Sequence, residues 1–375
     1  MWRLREGSTR RKIVAREMMV DGVQIADDTD TYVIAEIGNN HQGDLDKCKE
    51  MFKVAKQHCG VAAVKLQKRD NKSLFTRAMY NSEYHSENAF ADTYGAHREK
   101  LEFGRDEYIE LIAHAKEVGV TFFATAFDIP SADFLADLDM PAYKIASGDL
   151  TNTPLLKHVA SFGKPIFVST GGGTMEDVRR AYELIMPINR QLCLMQCTAG
   201  YPPEWQELDI GVITTFRHAF PDAVIGFSSH DSGIAMGPPA HVLGSRVIEK
   251  HFTLNRAMKG TDHAFSLEPT GLRKLVRDLK RTKLSLGTGE KRRYDSEVGP
   301  IKKMSKKLVA ARDLPAGHVL TPEDIALKSP GDGLKPYMFD TMVGRRLIKA
   351  LRADDALKVE DSIAASEEAI TRASA

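Results

Sequence analysis

The feature that most constrains this chain is an eightfold alternation between Thr31 and Leu286. Short apolar β-like runs recur at 31–37, 62–67, 121–126, 142–147, 165–170, 192–197, 223–229 and 246–252. Amphipathic segments such as DLDKCKEMFKVAKQHC, RDEYIELIAHAKEVG and TMEDVRRAYELIM lie between them. Strands alternating with helices imply βαβ units and a parallel sheet. Eight such units in roughly 250 residues is the size of a TIM barrel, so residues 31–286 are predicted to form one. An open doubly wound sheet would usually carry a glycine-rich fingerprint after its first strand, and EIGNNHQGD does not fit that pattern.

The flanks read differently. Residues 1–30 form an N-terminal extension, and 287–305 are polar and turn-rich, as a linker is. From 306 to 362, the β-like runs KLVAA, HVLT, IALK and RRLIKAL are separated by Pro-Ala-Gly and Pro-Gly-Asp-Gly turns. That pattern predicts a compact, mostly β module, and 363–375 read as a tail. One long interruption, 68–103, is aromatic and polar without clean periodicity. Connections of this length tend to be functional, and after strand two this one would lie over the C-terminal face of a barrel, where active sites are built.

Bulk properties exclude several classes of function. With a formal net charge of +1, nothing suggests nucleic acid or a membrane surface as partner. No apolar run approaches the ~20 residues of a membrane helix, and MWRLREGSTRRKIVARE lacks the apolar core of a secretory signal. Cys48, Cys59, Cys193 and Cys197 have neither metal-site nor CxxC spacing, which predicts reduced thiols in a cytoplasmic protein.

Polar residues at strand ends carry the chemistry of a barrel. Glu36 ends strand one; Lys65 and Gln67 lie on strand two and Thr125 on strand three. Lys144, Ser147 and Asp149 belong to strand four, and Ser169 ends strand five. Tyr201 follows strand six, Ser228 and His230 end strand seven, and Glu249 and His251 end strand eight. A lysine within an apolar strand is costly unless paired, so Lys65 or Lys144 alone could simply meet a carboxylate such as Glu36. Together with Ser169 and Ser228 they form a pocket for a small dianion bearing carboxylate and phosphate. The STGGG turn before a helix adds backbone N–H groups suited to an anion. His230 and His251, 21 residues apart on consecutive strands, form a candidate metal site. No cysteine or HxH pattern completes a closed zinc site, so an open Mn²⁺ or Mg²⁺ site is predicted.

The motifs AEIGNNHQG, AVKLQ, AYKIASGDLTN, GKPIFVSTGGGT, QCTAGYPP, IGFSSHD and EKHFT…GTDHAFSLEP resemble the N-acetylneuraminate (sialic acid) synthase family. KKLVAARDLPAGHVLTPEDI resembles that family's C-terminal antifreeze-like module. The resemblance implies a TIM barrel followed by this module in a domain-swapped homodimer. It implies condensation of phosphoenolpyruvate with an N-acylated mannose-type amino sugar, giving a nine-carbon 2-keto acid and phosphate. By motif match, Lys65, Thr125, Lys144 and Ser147 would hold the phosphoenolpyruvate carboxylate, and Ser169 and Ser228 its phosphate. His230 and His251 would bind the metal. Gln67, Tyr201, Asp262 and Asn88 would face the sugar, and Glu36 and Glu249 would sit beside the reacting carbons.

Three positions depart from the family pattern. Asp149 stands where a longer acid is common, and Ala199 where asparagine or serine is. Lys328-Ser329-Pro330-Gly331 lacks the arginine expected before the Pro-Gly turn, leaving Lys328 as the nearest cation. Acceptors leading to legionaminic- or pseudaminic-type acids stay open. A 3-deoxy-ulosonate phosphate synthase is a second enzyme reading, but it needs extra arginines, and the strand ends offer only Arg69 and Arg246. A non-catalytic carbohydrate-binding protein is the remaining alternative.

Overall fold

The computed structural model describes residues 16–364. Its first feature differs from the expected bare extension. Glu17–Val20 (β1) and Val23–Ala26 (β2) pair antiparallel. Asp21 and Gly22 both have positive φ, 48° and 78°, as a two-residue hairpin turn of this twist requires. The hairpin buries Met18, Val20 and Ile25 beneath the barrel, against Tyr32, Ile34, Phe123 and Phe167. Side chains of this size contribute roughly 1.5–3 kcal/mol each when fully buried. The Val-Asp-Gly-Val sequence is the local signal for this turn, and it lies inside what reads by composition as an extension.

Each of the eight apolar runs forms a strand: Tyr32–Gly38 (β3), Ala63–Lys68 (β4), Thr121–Ala126 (β5), Tyr143–Ile145 (β6), Ile166–Ser169 (β7), Leu192–Cys197 (β8), Val224–Ser229 (β9) and Val247–His251 (β10). All are parallel, and β10 pairs with both β9 and β3, so the sheet closes into an eight-stranded barrel. Residues two apart on a strand share a face, and here that rule builds the site. Inward-facing Ile34, Ala63, Phe123, Ala142, Phe167 and Val247 form an apolar layer at the N-terminal end. Two residues further along the same strands come Glu36, Lys65, Thr125, Lys144, Ser169 and Glu249, which line a cavity at the C-terminal end. The outward face carries the main core, with Val33, Ala35, Val64, Phe122, Ile166, Leu194 and Ile225 packed among helical residues such as Phe52, Leu111, Leu156 and Leu275.

Residues up to Gly287 make one compact unit and those from Thr288 another. The segment expected as linker contains a helix, Asp295–Met304, with Asp295 and Glu297 in its first turn and Lys302 and Lys303 in its last. Those charges complement the helix dipole. In the second unit, Lys307–Ala310 (β11) pairs antiparallel with Ile325–Lys328 (β12), and Arg346–Leu347 (β13) with Ser362–Ile363 (β14). Its own core is made by Leu308, Leu314, Leu320, Met342, Leu347, Leu351 and Leu357. The tail expected at 363–375 falls almost wholly outside the described residues. All four cysteines are buried and unpaired. Among the described residues no helix is long and apolar enough to cross a membrane.

Candidate active site

The C-terminal cavity measures about 480 Å³. Two larger hollows, of about 620 and 580 Å³, flank the β1–β2 hairpin at the opposite end, lined by strand starts and helix surfaces. Neither gathers strand-end polar groups, so the smaller cavity is the one with chemistry.

On its floor two lysines and two carboxylates interleave. Lys65 Nζ lies 2.6 Å from Glu36 Oε2 and 3.9 Å from Glu249 Oε2, and donates to Thr125 Oγ1 at 2.7 Å. Lys144 Nζ lies 3.4 Å from Glu249 Oε1, which also accepts from Ser228 Oγ at 3.1 Å. Gln67 Nε2 donates to Glu36 Oε1 at 2.8 Å. The two carboxyls are driven apart. Burial pushes Glu36 up against the pull of Lys65, and Glu249 beside it adds to the rise. Burial works on Glu249 too, but Lys144 and Lys65 outweigh it and hold that carboxyl below its usual range. One acid thus stands ready to exchange a proton while the other stays ionised, a division typical of acid–base sites. Ser169 Oγ is buried with no hydrogen-bond partner and faces the same space. An orphaned hydroxyl is costly without a ligand to meet it.

The paired histidines sit across the cavity. Their ring centroids are 5.3 Å apart. His230 Nδ1 is 2.9 Å from the Thr198 carbonyl, which can only accept, so Nδ1 carries the proton and Nε2 keeps its lone pair. His251 Nδ1 is buried without a hydrogen bond, 3.7 Å from Asp262 Oδ2. Burial lowers the His251 imidazole to about 4, leaving it neutral at pH 7, as a metal ligand must be. Among the described residues, no three His, Cys, Asp or Glu side chains converge on one point. Two imidazole donors with open positions fit a weakly held, oxygen-completed divalent cation. Tyr201, 57% exposed, lays its ring 4.1 Å from His230 and closes the rim.

Two sequence-predicted barrel residues lie elsewhere. Asn88 does not line the cavity, because its side-chain oxygen accepts from the Gly260 N–H at 2.8 Å and ties the 68–103 segment to the loop after β10. Asp149 turns away into its own 3₁₀ turn, accepting from Asn152 Nδ2 at 3.0 Å. Lys328 lies in the second unit, ion-paired with Asp354. The anion site expected at STGGG is also taken up internally. Gly171 N–H donates to Ser147 Oγ at 3.0 Å, and Thr174 and Asp177 cap the following helix reciprocally. Gly171 is needed for close approach, since a Cβ there would come 2.8 Å from Ser147 Oγ.

Two guanidinium groups stand on the wall, Arg69, which the sequence offered, and Arg98, which it did not. Arg69, one residue beyond β4, lies 3.9 Å over the Phe127 ring, and its buried Nη1 has no hydrogen-bond partner, with Glu102 Oε1 3.6 Å away. Arg98 comes from the short helix Tyr94–Glu99 within the long insertion, and its Nε and Nη2 donate to Tyr94 Oη. No periodic pattern points to Arg98, and only the fold brings it to the cavity from the long insertion between β4 and β5. Arg246, the other sequence candidate, lies at the opposite end, donating to the Asp27 carbonyl.

Comparison with known proteins decides what this arrangement belongs to. The profile of the NeuB family matches residues 51–291, and that of the SAF domain matches 307–361. The chain belongs to the NeuB family. NeuB relatives include the N-acetylneuraminate-9-phosphate synthase of Homo sapiens, 37% identical over 88% of this chain and 92% of that one. The N,N'-diacetyllegionaminic acid synthase of Legionella pneumophila is 34% identical over 87% and 93%. Among solved structures, the N-acetylneuraminic acid (sialic acid) synthetase of Leptospira borgpetersenii superposes with a TM-score of 0.67 at 27% identity, covering 78% of this chain and 97% of that one. This NeuB-family chain is therefore an enzyme of the sialic acid synthase type, a TIM barrel followed by a SAF domain.

Proposed function

We propose that the cavity condenses phosphoenolpyruvate with the open-chain aldehyde of an N-acylated mannose-type amino sugar, releasing phosphate and a nine-carbon 2-keto acid. The observation that carries this reading is the buried floor itself: two lysines, two carboxylates of opposite tendency and an unpartnered serine hydroxyl under one opening. Lys65, Lys144, Thr125 and Ser147 bind the carboxylate of phosphoenolpyruvate, and Ser169 and Ser228 bind its phosphate. Carbon 3 of phosphoenolpyruvate attacks the aldehyde carbon, and the former carbonyl oxygen takes up a proton from solvent. Glu249, held ionised, stabilises the positive charge that develops at carbon 2. Water adds there, giving its proton to Glu36, whose raised affinity for protons suits a general base. The tetrahedral intermediate then expels phosphate by C–O cleavage and leaves the ketone. A Mn²⁺ or Mg²⁺ ion held by His230 and His251 supplies Lewis-acid polarisation of the aldehyde when bound. Gln67, Tyr201 and Asp262 at the rim meet the sugar.

The relatives' names divide between phosphorylated and unphosphorylated products, and one observation favours a phosphorylated acceptor here. Arg69 and Arg98 both line the cavity, where the ion pairs among described residues give Arg69 a single carboxylate, Glu102, which it shares with Lys68, and give Arg98 none. A phosphate monoester at the far end of the sugar would balance that excess, and guanidinium forks suit it. Phosphate release from phosphoenolpyruvate, measured with N-acetylmannosamine, its 6-phosphate and a diacetamido-trideoxy sugar, tests both levels. Release with none of them refutes the condensation; equal release with and without the 6-phosphate refutes the phosphorylated acceptor. A homodimer in which the SAF unit reaches a partner's barrel belongs to the same reading, and sedimentation of the full chain as a strict monomer would refute it.

A further inference from the structure

Beside the two imidazoles, on the side of β9 and β10 turned away from the cavity, lies a buried ion pair that touches no reacting group. Lys250 Nζ donates to the main-chain carbonyl of Asp231 at 2.6 Å and to Asp231 Oδ1 at 2.9 Å. Ser229 Oγ also donates to Oδ1. Lys250, Asp231 and Ser229 are only 4%, 2% and 2% exposed, and Asp231 Oδ2 has no hydrogen-bond partner. A buried pair of this kind adds little net stability over a well-packed apolar replacement, because both charges must leave water. A use other than stability is called for, and the chain order suggests one. Asp231 follows His230, and Lys250 precedes His251.

The two histidines are held differently. His251 ends β10 and has a ladder partner, Glu36 on β3. His230 lies one residue past β9, where the β9–β10 ladder has already stopped at Ser229 and Lys250. Its ring is held by the Thr198 carbonyl, and its backbone is anchored through the residue after it, whose carbonyl Lys250 grips.

We propose that Lys250 and Asp231 form a positioning strut that fixes His230 relative to His251 and so sets the affinity of the pair for a divalent cation. The strut rests on the reading that these two imidazoles hold the cation. Such supporting contacts behind metal-binding histidines typically govern affinity by 10–100-fold.

The test uses the full chain and Mn²⁺ itself, with free Mn²⁺ followed by electron paramagnetic resonance, so that turnover is not the readout. The paired variant Lys250→Met/Asp231→Leu removes both charges at once and leaves neither stranded. Its Kd for Mn²⁺ should rise by about 10–100-fold, while its melting temperature holds or rises and its affinity for phosphoenolpyruvate without metal stays at the wild-type value. Lys250→Arg, which keeps the charge and the donors, should recover most of the loss. Wild-type Mn²⁺ affinity in the paired variant overturns the strut. So does a parallel collapse of Mn²⁺ binding, phosphoenolpyruvate binding and melting temperature, which would assign the pair to general stability. If the wild-type chain binds no Mn²⁺, the two-imidazole site fails and the strut falls with it, an outcome distinct from the other two. Should that variant not fold, Lys250→Met/Asp231→Asn, which also removes the grip on the carbonyl and both charges but keeps the shape of the Asp231 side chain, is read the same way.

Discussion

Lys65 on β4 and Glu36 on β3 meet at 2.6 Å with both side chains almost wholly shielded from water. Neighbouring parallel strands place them directly opposite one another, since Glu36 and Lys65 are ladder partners. Such a pair is poor value as a staple. On the proposed reading it holds an ammonium group in place where the anion arrives, beside a carboxyl whose affinity for protons burial raises.

Lys65→Met and Lys144→Met should each weaken phosphoenolpyruvate binding by about two orders of magnitude, as expected when a buried, charge-assisted contact worth roughly 3 kcal/mol is lost. In Lys65→Met the Glu36 carboxyl, already pushed up by burial, is free to protonate, so the barrel should remain folded. Titration calorimetry with circular dichroism checks both. Unchanged affinity in the two variants would remove the anion pocket.

Ser169→Ala separates ligand binding from folding. The hydroxyl has no partner to lose, so the melting temperature should stay level or rise. Affinity for phosphoenolpyruvate should fall about tenfold, the usual scale of one hydrogen bond. A drop in stability with intact affinity would show that the hydroxyl serves the fold.

Arg98→Ala should act on the acceptor alone. The ratio of kcat/KM for N-acetylmannosamine 6-phosphate to that for N-acetylmannosamine should fall by about 30–100-fold, the range for one charged contact, with KM for phosphoenolpyruvate unchanged. A ratio that does not move excludes Arg98 from acceptor recognition.

The second unit should have its own acid limit, set by Asp324. This fully buried carboxylate is 2.8 Å from Arg312 Nη2 and 2.7 Å from His318 Nε2, and accepts from Thr321 N at 2.9 Å. Burial alone would raise its pKa, but the hydrogen bonds from His318, Thr321 and Arg312 outweigh it and hold the carboxyl far below the ordinary value. A depressed pKa means that its contribution is fully present above the unfolded value of about 3.9 and is lost as the pH falls toward the folded one. Calorimetry of the full chain should therefore show the second unit's transition falling below about pH 4. In Asp324→Asn that transition should start lower at pH 7, by roughly 3 kcal/mol, and respond less to acid. A variant as acid-sensitive as the wild type would place the dependence on other groups.

Much of this site was legible in the chain. Barrel strands are apolar on both faces, so they stand out as short runs, and a polar residue inside one is conspicuous because burial makes it costly. Lys65, Lys144, Glu36, Ser169 and the two histidines could be picked out for that reason, and period-two alternation puts them on the inner face. The β1–β2 hairpin was equally available in its Asp-Gly turn. What only the tertiary structure decided is how each polar group is satisfied. Asn88, Asp149 and the Gly171 N–H look free in the sequence, yet Gly260, Asn152 and Ser147 take them up. Arg98 looks like surface charge, yet it reaches the cavity. The grip of Lys250 on the Asp231 carbonyl likewise exists only once β10 lies against β9. Local periodicity reports which way a side chain points, because that follows from a few backbone dihedrals. Its partner depends on closing a ring of strands far apart in the chain, and no local pattern encodes that.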